Sequence, residues 1–435
     1  MCPVTIDALI QDLFMYYFQK SIQVLFILLL PLGSLPAKAA NETGDDALTF
    51  TQALQRAMTA DPRLELNTIL AEASDGQVEQ AKLRPNPVIG TEVENFLGTG
   101  PLRGVQGLEV TLGVSQVIET AEKRRRRTEL AAAERSLVDW EREMLVARIE
   151  TSVRSAFIDV LLAQQMLGLR EEQLDLAKRS AAETARLVDA ARSPKVEQTR
   201  AELSVRRQAF AKQQAEREYA AAKSVLASFW TDSAPRDFVV AGEVALDSAT
   251  PEFSQLAAKL SNTAAVARYS AVEESRKAAL DLERARATPD VEIFAGGRYF
   301  NEEEGEAAFL VGVEVPWPVF DKNQGNIHTA RAKLRAVGLE RQATHRELMM
   351  ALNRAYQQRI SAQAEADAIQ SELLAAAEAT LRDTEEGYER GQFQQLAVLD
   401  SRSALFEVRE AYLEALRRYA AAQAEIEALT RPAKL

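Results

Sequence analysis

The residues best placed to do chemistry are carboxylates on alternating positions of short apolar runs: Glu92 and Glu94, Glu109, Glu292 and Glu314. In the clearest run Leu108, Val110, Leu112 and Val114 oppose Glu109, Thr111, Gly113 and Ser115, a period of two that places each set on one face of a strand. Phe309, Val311, Val313 and Val315 likewise oppose Leu310, Gly312 and Glu314. A wet face rich in carboxylates, with Arg298 as its lone cation, would attract cations electrostatically. Acid–base catalysis is a poorer match. Most other glutamates fall on helices at charged-face spacing, and no nucleophile elbow, Walker loop or glycine-rich dinucleotide turn is present. His328 and His345, the only 2 histidines, lack HxxxH or CxxC companions, so neither a tight metal site nor a cofactor is expected.

The elements that position these residues come twice. Val88–Phe96 and Leu108–Ile118 form one strand pair, Val291–Phe300 and Phe309–Val315 a second, and each pair is followed by a long charged helical stretch. Pro87 recurs as Pro289, Val114 as Val315 and Leu203 as Leu405, an offset of about 200 residues. Four strands of this length alternate as a lipid face and a wet face would, but an open sheet in lipid leaves backbone groups unpaired. Closure therefore needs sister chains: two would give eight strands and three would give twelve, and the strands alone do not choose between them. Phe96, Tyr299 and Phe300 at one end and Trp317 at the other fit aromatic girdles.

The helical arms carry apolar rows at sevens: Leu130, Leu137 and Met144; Val153, Val160, Leu167 and Leu174; Leu399, Phe406 and Leu413; Leu405, Tyr412, Tyr419 and Ile426. Such rows indicate coiled-coil seams. Ala121 to Arg192 would span roughly 110 Å as one helix. Each arm reverses once, near Ala190–Lys195 with Pro194 as breaker and near Gly387–Gln392 with Gly387 and Gly391 supplying the turn. Ahead of the first strand, Leu48–Leu83 reads as one amphipathic helix, capped by Thr49 or Thr51 and ended by Pro85-Asn86-Pro87. Lys123–Arg127 places five cations at a helix start, where the dipole disfavours them. A solvated face, lipid phosphates or a neighbouring chain's carboxylates would compensate.

Composition agrees with extended helices rather than thick cores: aromatic residues make up 6% and charged residues 27%. A net charge of -12 excludes nucleic acid as a partner. Lys20, the apolar run Ile22–Leu30 and the Ala37-Lys38-Ala39 site predict an export signal over 1–39, with Met15 opening a more ordinary leader than Met1. The single cysteine, Cys2, lies within it. The chain then divides into a first repeat over 40–230, a connector over 231–250 marked by Pro235 and Gly242, and a second repeat over 251–435.

Val114-Ser115-Gln116-Val117-Ile118-Glu119 and Pro316-Trp317-Pro318-Val319-Phe320-Asp321-Lys322-Asn323-Gln324-Gly325 resemble the motifs that follow the second and fourth strands of the TolC family of outer-membrane efflux channels. The second stretch is most similar to the CzcC-like, heavy-metal efflux branch. Ala121-Glu122 replaces the Gly-Gly-Lys-Arg-type turn usual there. The resemblance implies a mainly helical homotrimer with four strands per chain in a shared twelve-stranded barrel, continued by a coiled-coil α-barrel. It implies a place in the outer membrane of a Gram-negative bacterium, reaching into the periplasm. The expected partners are a periplasmic adaptor and an inner-membrane pump of the RND type. It also implies a passive duct that performs no chemistry. A type I protein-secretion duct would carry the same features; a periplasmic coiled-coil adaptor would lack the duplicated strand pairs.

Two further expectations come with the resemblance. Asp400 matches an acidic position near the tunnel tip, where three copies would ring the aperture; Ala397 stands where the family often has a second carboxylate. Arg192 and Pro194, with Tyr388, Arg390 and Gly391, match the tip loops at which adaptors bind.

Overall fold

The computed structural model describes residues 47–231, 238–247, 251–301 and 306–435. The expected export signal over 1–39 and Pro235 of the connector lie outside them. The same order of elements occurs twice: helix, β-hairpin, long helix, sharp turn, returning helix. In the first half these are α1 (Phe50–Ala60), α2 (Pro62–Lys82), β1 (Val88–Glu94), β2 (Glu109–Ile118), α3 (Lys123–Asp189) and α4 (Lys195–Ala227). In the second they are α5 (Phe253–Lys259), α6 (Tyr269–Arg286), β3 (Val291–Phe300), β4 (Glu306–Glu314), α7 (Gln324–Ala368), α8 (Leu374–Glu389) and α9 (Gln395–Thr430). A π-helical turn, Ile369–Leu373, joins α7 to α8.

The stretch read as one helix over Leu48–Leu83 is two. Thr49, not Thr51, caps α1 through a capping box with Gln52, and Asp61-Pro62 restarts the chain as α2. Pro62 occupies the first helical turn, where its missing N–H costs nothing, and Asp61 accepts from the Arg63 amide at 2.9 Å. The 67 residues of α3 make a rod of about 100 Å. Among the described residues no helix is long and apolar enough to cross a membrane.

Packing follows the sevens in part. Val153 and Val160 are fully buried, and Leu405, Tyr419 and Ile426 are buried, while Leu130, Leu137, Met144, Leu399, Phe406 and Leu413 are only half-buried. Two of the compact cores among the described residues sit partway along the helices. One gathers Leu48, Ile149, Val153, Phe157, Leu226 and Val240; the other gathers Leu256, Leu260, Leu352 and Ile426. Each has an edge-on aromatic pair, Phe50 with Phe157 at 5.9 Å and Phe253 with Tyr356 at 5.3 Å.

The connector is pinned at both ends of its described part. Leu48 and Val240 form a parallel bridge, and Asp247 meets the buried Arg359 of α7. The Arg359 side chain is 1% exposed and donates to Gln423 at 2.6 Å, Gln363 at 3.1 Å, Tyr419 at 3.2 Å and Asp247 at 3.3 Å. Its guanidinium also stands 5.1 Å from the Tyr419 ring centroid.

Candidate functional site

The four strands form one antiparallel sheet in sequence order, β1-β2-β3-β4, with an unbroken register. Directly opposed residues share a face, so pairings such as Glu94↔Glu109, Glu92↔Thr111↔Arg298 and Glu292↔Glu314 trace one side of it. Glu92, Glu94, Glu109, Glu292 and Glu314 all lie on that side, joined by Glu306. The opposite side presents Ile89, Val93, Leu112, Val114, Ile118, Ile293, Tyr299, Phe309, Val311 and Val313, all exposed, Phe309 by 97%. An apolar face this continuous is not left to water in a stable soluble protein.

Arg298 holds the acidic face together at its far end. It pairs with Glu94 at 3.0 Å and Glu109 at 2.8 Å and donates to Thr111 at 2.9 Å. Six carboxylates against one guanidinium leave the face net negative. Further toward the helices the Phe294 ring lies across Gly113, Gly296 and Gly312. A β-carbon on Gly113 would collide with it, and one on Gly296 would stand 3.0 Å from Cζ. Sequence reading missed this glycine pad; the structure pairs Gly113 with Gly296 and sets Gly312 opposite Phe294 itself.

Two girdle residues, Phe96 and Phe300, sit elsewhere than expected. β1 ends at Glu94 because Asn95 and Leu97 take positive φ, 56° and 57°, so Phe96 lies outside the ladder. Phe300 pairs with Glu109 and Glu306 and therefore belongs to the acidic face. Tyr299 is on the apolar face, and Trp317, 87% exposed, follows β4 at the other end. β4 is also shifted, starting at Glu306 and closing at Glu314 rather than Val315.

Four of the five cations at the start of α3 pair with carboxylates of the same chain. Lys123 is buried and pairs with Asp290 at 2.7 Å. Arg125 pairs with Glu122, Arg126 with Glu129 at 3.0 Å, and Arg127 with Glu119 at 2.5 Å. Arg127 also donates to the Ala81 and Leu83 carbonyls, where the end of α2 favours a cation.

At the opposite end the two reversals share their closing bonds, the second adding Phe393 N–H to the Gly387 carbonyl at 3.3 Å. Arg192 N–H reaches the Leu187 carbonyl at 2.8 Å and Gln392 N–H the Gly387 carbonyl at 2.8 Å, with Ala191 and Gly391 at φ 59° and 74°. Gly387 itself is helical and serves the turn differently than expected: a β-carbon there would collide with the Phe393 ring. Arg192, Pro194 and Tyr388 line a common groove of about 590 Å³ with Leu187, Gln395 and Leu399. Arg390 and Gly391 are not part of its lining; Arg390 pairs with Glu386 at 2.8 Å on the surface. Tyr388 donates to Glu183 at 3.4 Å, and burial, then that carboxylate, push its phenol up. Asp400 is exposed on the second turn of α9, flanked by Ser401, bonded to Thr384, and Arg402, paired with Glu385 at 2.7 Å. Among the described residues no cluster of three histidine, cysteine or acidic side chains is arranged to hold a metal ion.

Residues 256–430 match the model of the outer membrane efflux protein family. The cobalt-zinc-cadmium resistance protein CzcC of Cupriavidus metallidurans is 28% identical over 373 residues, covering 85% of this chain and 86% of that protein. The nickel-cobalt-cadmium resistance protein NccC of Alcaligenes xylosoxydans xylosoxydans is 26% identical, covering 74% and 72%. Among solved structures, CusC superposes with a TM-score of 0.70 at 16% identity over 88% of this chain and 91% of that one. VceC of Vibrio cholerae gives 0.69 at 14% identity, over 88% and 96%. The chain thus resembles the outer membrane efflux protein family over residues 256–430, has the fold of TolC-type channels, and counts heavy-metal resistance proteins among its relatives.

Proposed function

We propose that three copies of the chain close their sheets into one twelve-stranded barrel in the outer membrane of a Gram-negative bacterium. The barrel, continued by the helices as a periplasmic tunnel, serves as the passive duct of a tripartite efflux system. The observation that carries this is the sheet: one acidic face, one exposed apolar face, and two free edges. Lipid satisfies the apolar face, and sister strands satisfy the edges, which cannot remain open in hydrocarbon. The acidic face then lines the lumen and favours cations. The relatives' roles in cobalt, zinc, cadmium and nickel resistance suggest divalent metal cations as the cargo. The half-buried rows Leu130–Met144 and Leu399–Leu413 become seams between protomers.

A periplasmic adaptor engages the tip groove around Arg192, Pro194 and Tyr388, with Arg390 and Gly391 beside it. An RND-type inner-membrane pump supplies the energy. Asp400 from three chains rings the aperture and gates it by attracting cations. Replacing Asp400 with alanine is expected to abolish block of single-channel current by divalent cations; unchanged block would remove the gate role. Deleting the gene is expected to sensitise cells to these metals, with rescue by the intact chain. Sensitivity to exported proteins alone would indicate a secretion duct instead.

A further inference from the structure

The free edges of the sheet carry enough information to say how they meet. All three ladders run without a bulge. The Asn301 N–H donates to the opposed Leu108 carbonyl at 3.0 Å. Even-numbered residues of β2 and odd-numbered residues of β3 therefore bond to one another. Alternation then turns the even-numbered residues of β3 and β4 toward each other. The odd-numbered residues of β1 and β4 direct their backbone groups outward, away from every strand of the same chain.

The prolines obey this division. Pro316 and Pro318 are even, so the N–H they lack belongs to the β3 side, and the β3–β4 ladder stops at Glu292↔Glu314. Val315 keeps both outward groups and Trp317 its outward N–H, while the Trp317 carbonyl accepts from Val319. Pro85 and Pro87 are odd and end the outward edge of β1 at Ile89.

The internal repeat supplies the register. Shifting Val88↔Ser115 by the offsets of Pro87 to Pro289 and Val114 to Val315 gives Asp290 opposite Pro316, in line with Glu292↔Glu314. The same shifts carry Val114↔Ala295 and Gln116↔Ile293 of the β2–β3 ladder onto β4 and the β1 of another copy.

We propose that β4, continued through Val315–Trp317, pairs antiparallel with β1 of the next copy, Val315 opposite Val93 and Trp317 opposite Thr91. This rests on the trimeric barrel proposed above and specifies the seam that closes it. Val93, Val315 and Trp317 are all exposed in the single chain. Pro316 falls at a position that makes no bond across the seam, so it is tolerated there. Val319 N–H turns back onto the Trp317 carbonyl at 2.9 Å, which ends the shared ladder on the helix side. On the acidic face Glu314 then stands opposite Glu94 of the next copy, and the carboxylate row Glu292-Glu314 runs on into Glu94-Glu109.

Paired cysteines test the register in outer membranes. In a Cys2→Ala background, Val93→Cys with Val315→Cys is expected to give a covalent trimer on oxidation. It should form about tenfold faster than with the pair shifted by two, Val93→Cys with Val313→Cys, whose α-carbons would lie beyond disulfide reach. Faster coupling of the shifted pair, or a native-mass trimer in which neither pair couples, overturns the register while leaving the trimer. A monomer in mild detergent with no coupling overturns the barrel reading as well.

Discussion

Lys123 Nζ stands 2.7 Å from Asp290 Oδ1 and joins the start of α3 to the start of β3 across 167 positions of sequence. Thr120 reinforces the contact, its amide donating to the same carboxylate at 2.8 Å and its hydroxyl to the Pro289 carbonyl at 2.6 Å. The pair lies where strands give way to helices, so it fixes the angle at which sheet and rod meet.

Acid should loosen this junction. Burial pushes the Asp290 carboxyl up, but the Lys123 ammonium and the Thr120 amide more than offset it, holding it below the usual 3.8. A group depressed in the folded state adds stability above its unfolded value and loses it as pH falls through the lower, folded value. The thermal midpoint is therefore expected to drop more steeply below about pH 4 in the native chain than in Asp290→Asn. Equal pH profiles would show that the pair contributes nothing. At neutral pH Lys123→Ala is expected to cost about 1–2 kcal/mol, less than a fully buried pair because Asp290 is partly exposed.

The Phe294 pad should control the bore. Gly113→Ala lifts the ring off the sheet toward the acidic face, with a cost of about 1–3 kcal/mol for overpacking. Single-channel conductance is expected to fall in Gly113→Ala and to recover in Gly113→Ala with Phe294→Ala. Recovery is the informative arm, since it would be absent if the glycine mattered only for strand pairing.

How much of this was legible in the sequence depends on the range of the forces involved. The five glutamates were found on one face because a strand's period of two is local and survives in any register. Phe300 and Phe96 were misassigned because their placement depends on the register and on positive φ at Asn95 and Leu97, which alternation does not encode. The Lys123–Arg127 run was visible as charge, but its partners Asp290, Ala81 and Leu83 come from distant segments. Arg359 gave no signal at all: one arginine on a helix reads as solvated until Asp247, Tyr419 and Gln423 fold over it.

Arg359→Leu should release the connector. Asp247 and Tyr419 lose their shared donor, at a cost of about 1–3 kcal/mol, moderated because Asp247 is half-exposed. Limited proteolysis is expected to cut within 238–247 several times faster than in the native chain. Arg359→Lys should protect partially, keeping the charge without the planar fork. Identical digestion of both would rule out a clamping role.

At the tips, Gly387→Ala is expected to displace Phe393 and alter the turn, whereas Gly391→Ala strains the backbone at φ 74°. If the groove receives an adaptor, Tyr388→Ala and Arg192→Ala should weaken adaptor capture about tenfold or more without altering oligomeric mass. Loss of the trimer in either variant would instead assign these residues to folding.

The most direct measurement is the reversal potential of the detergent-extracted protein in a planar bilayer under a salt gradient, with its mass determined in parallel. Three chains forming one conducting unit, with a potential of cation-selective sign that weakens when Glu92, Glu292 and Glu314 become glutamine, is the expected result. A water-soluble monomer that keeps both hairpins folded without detergent and conducts nothing would contradict it.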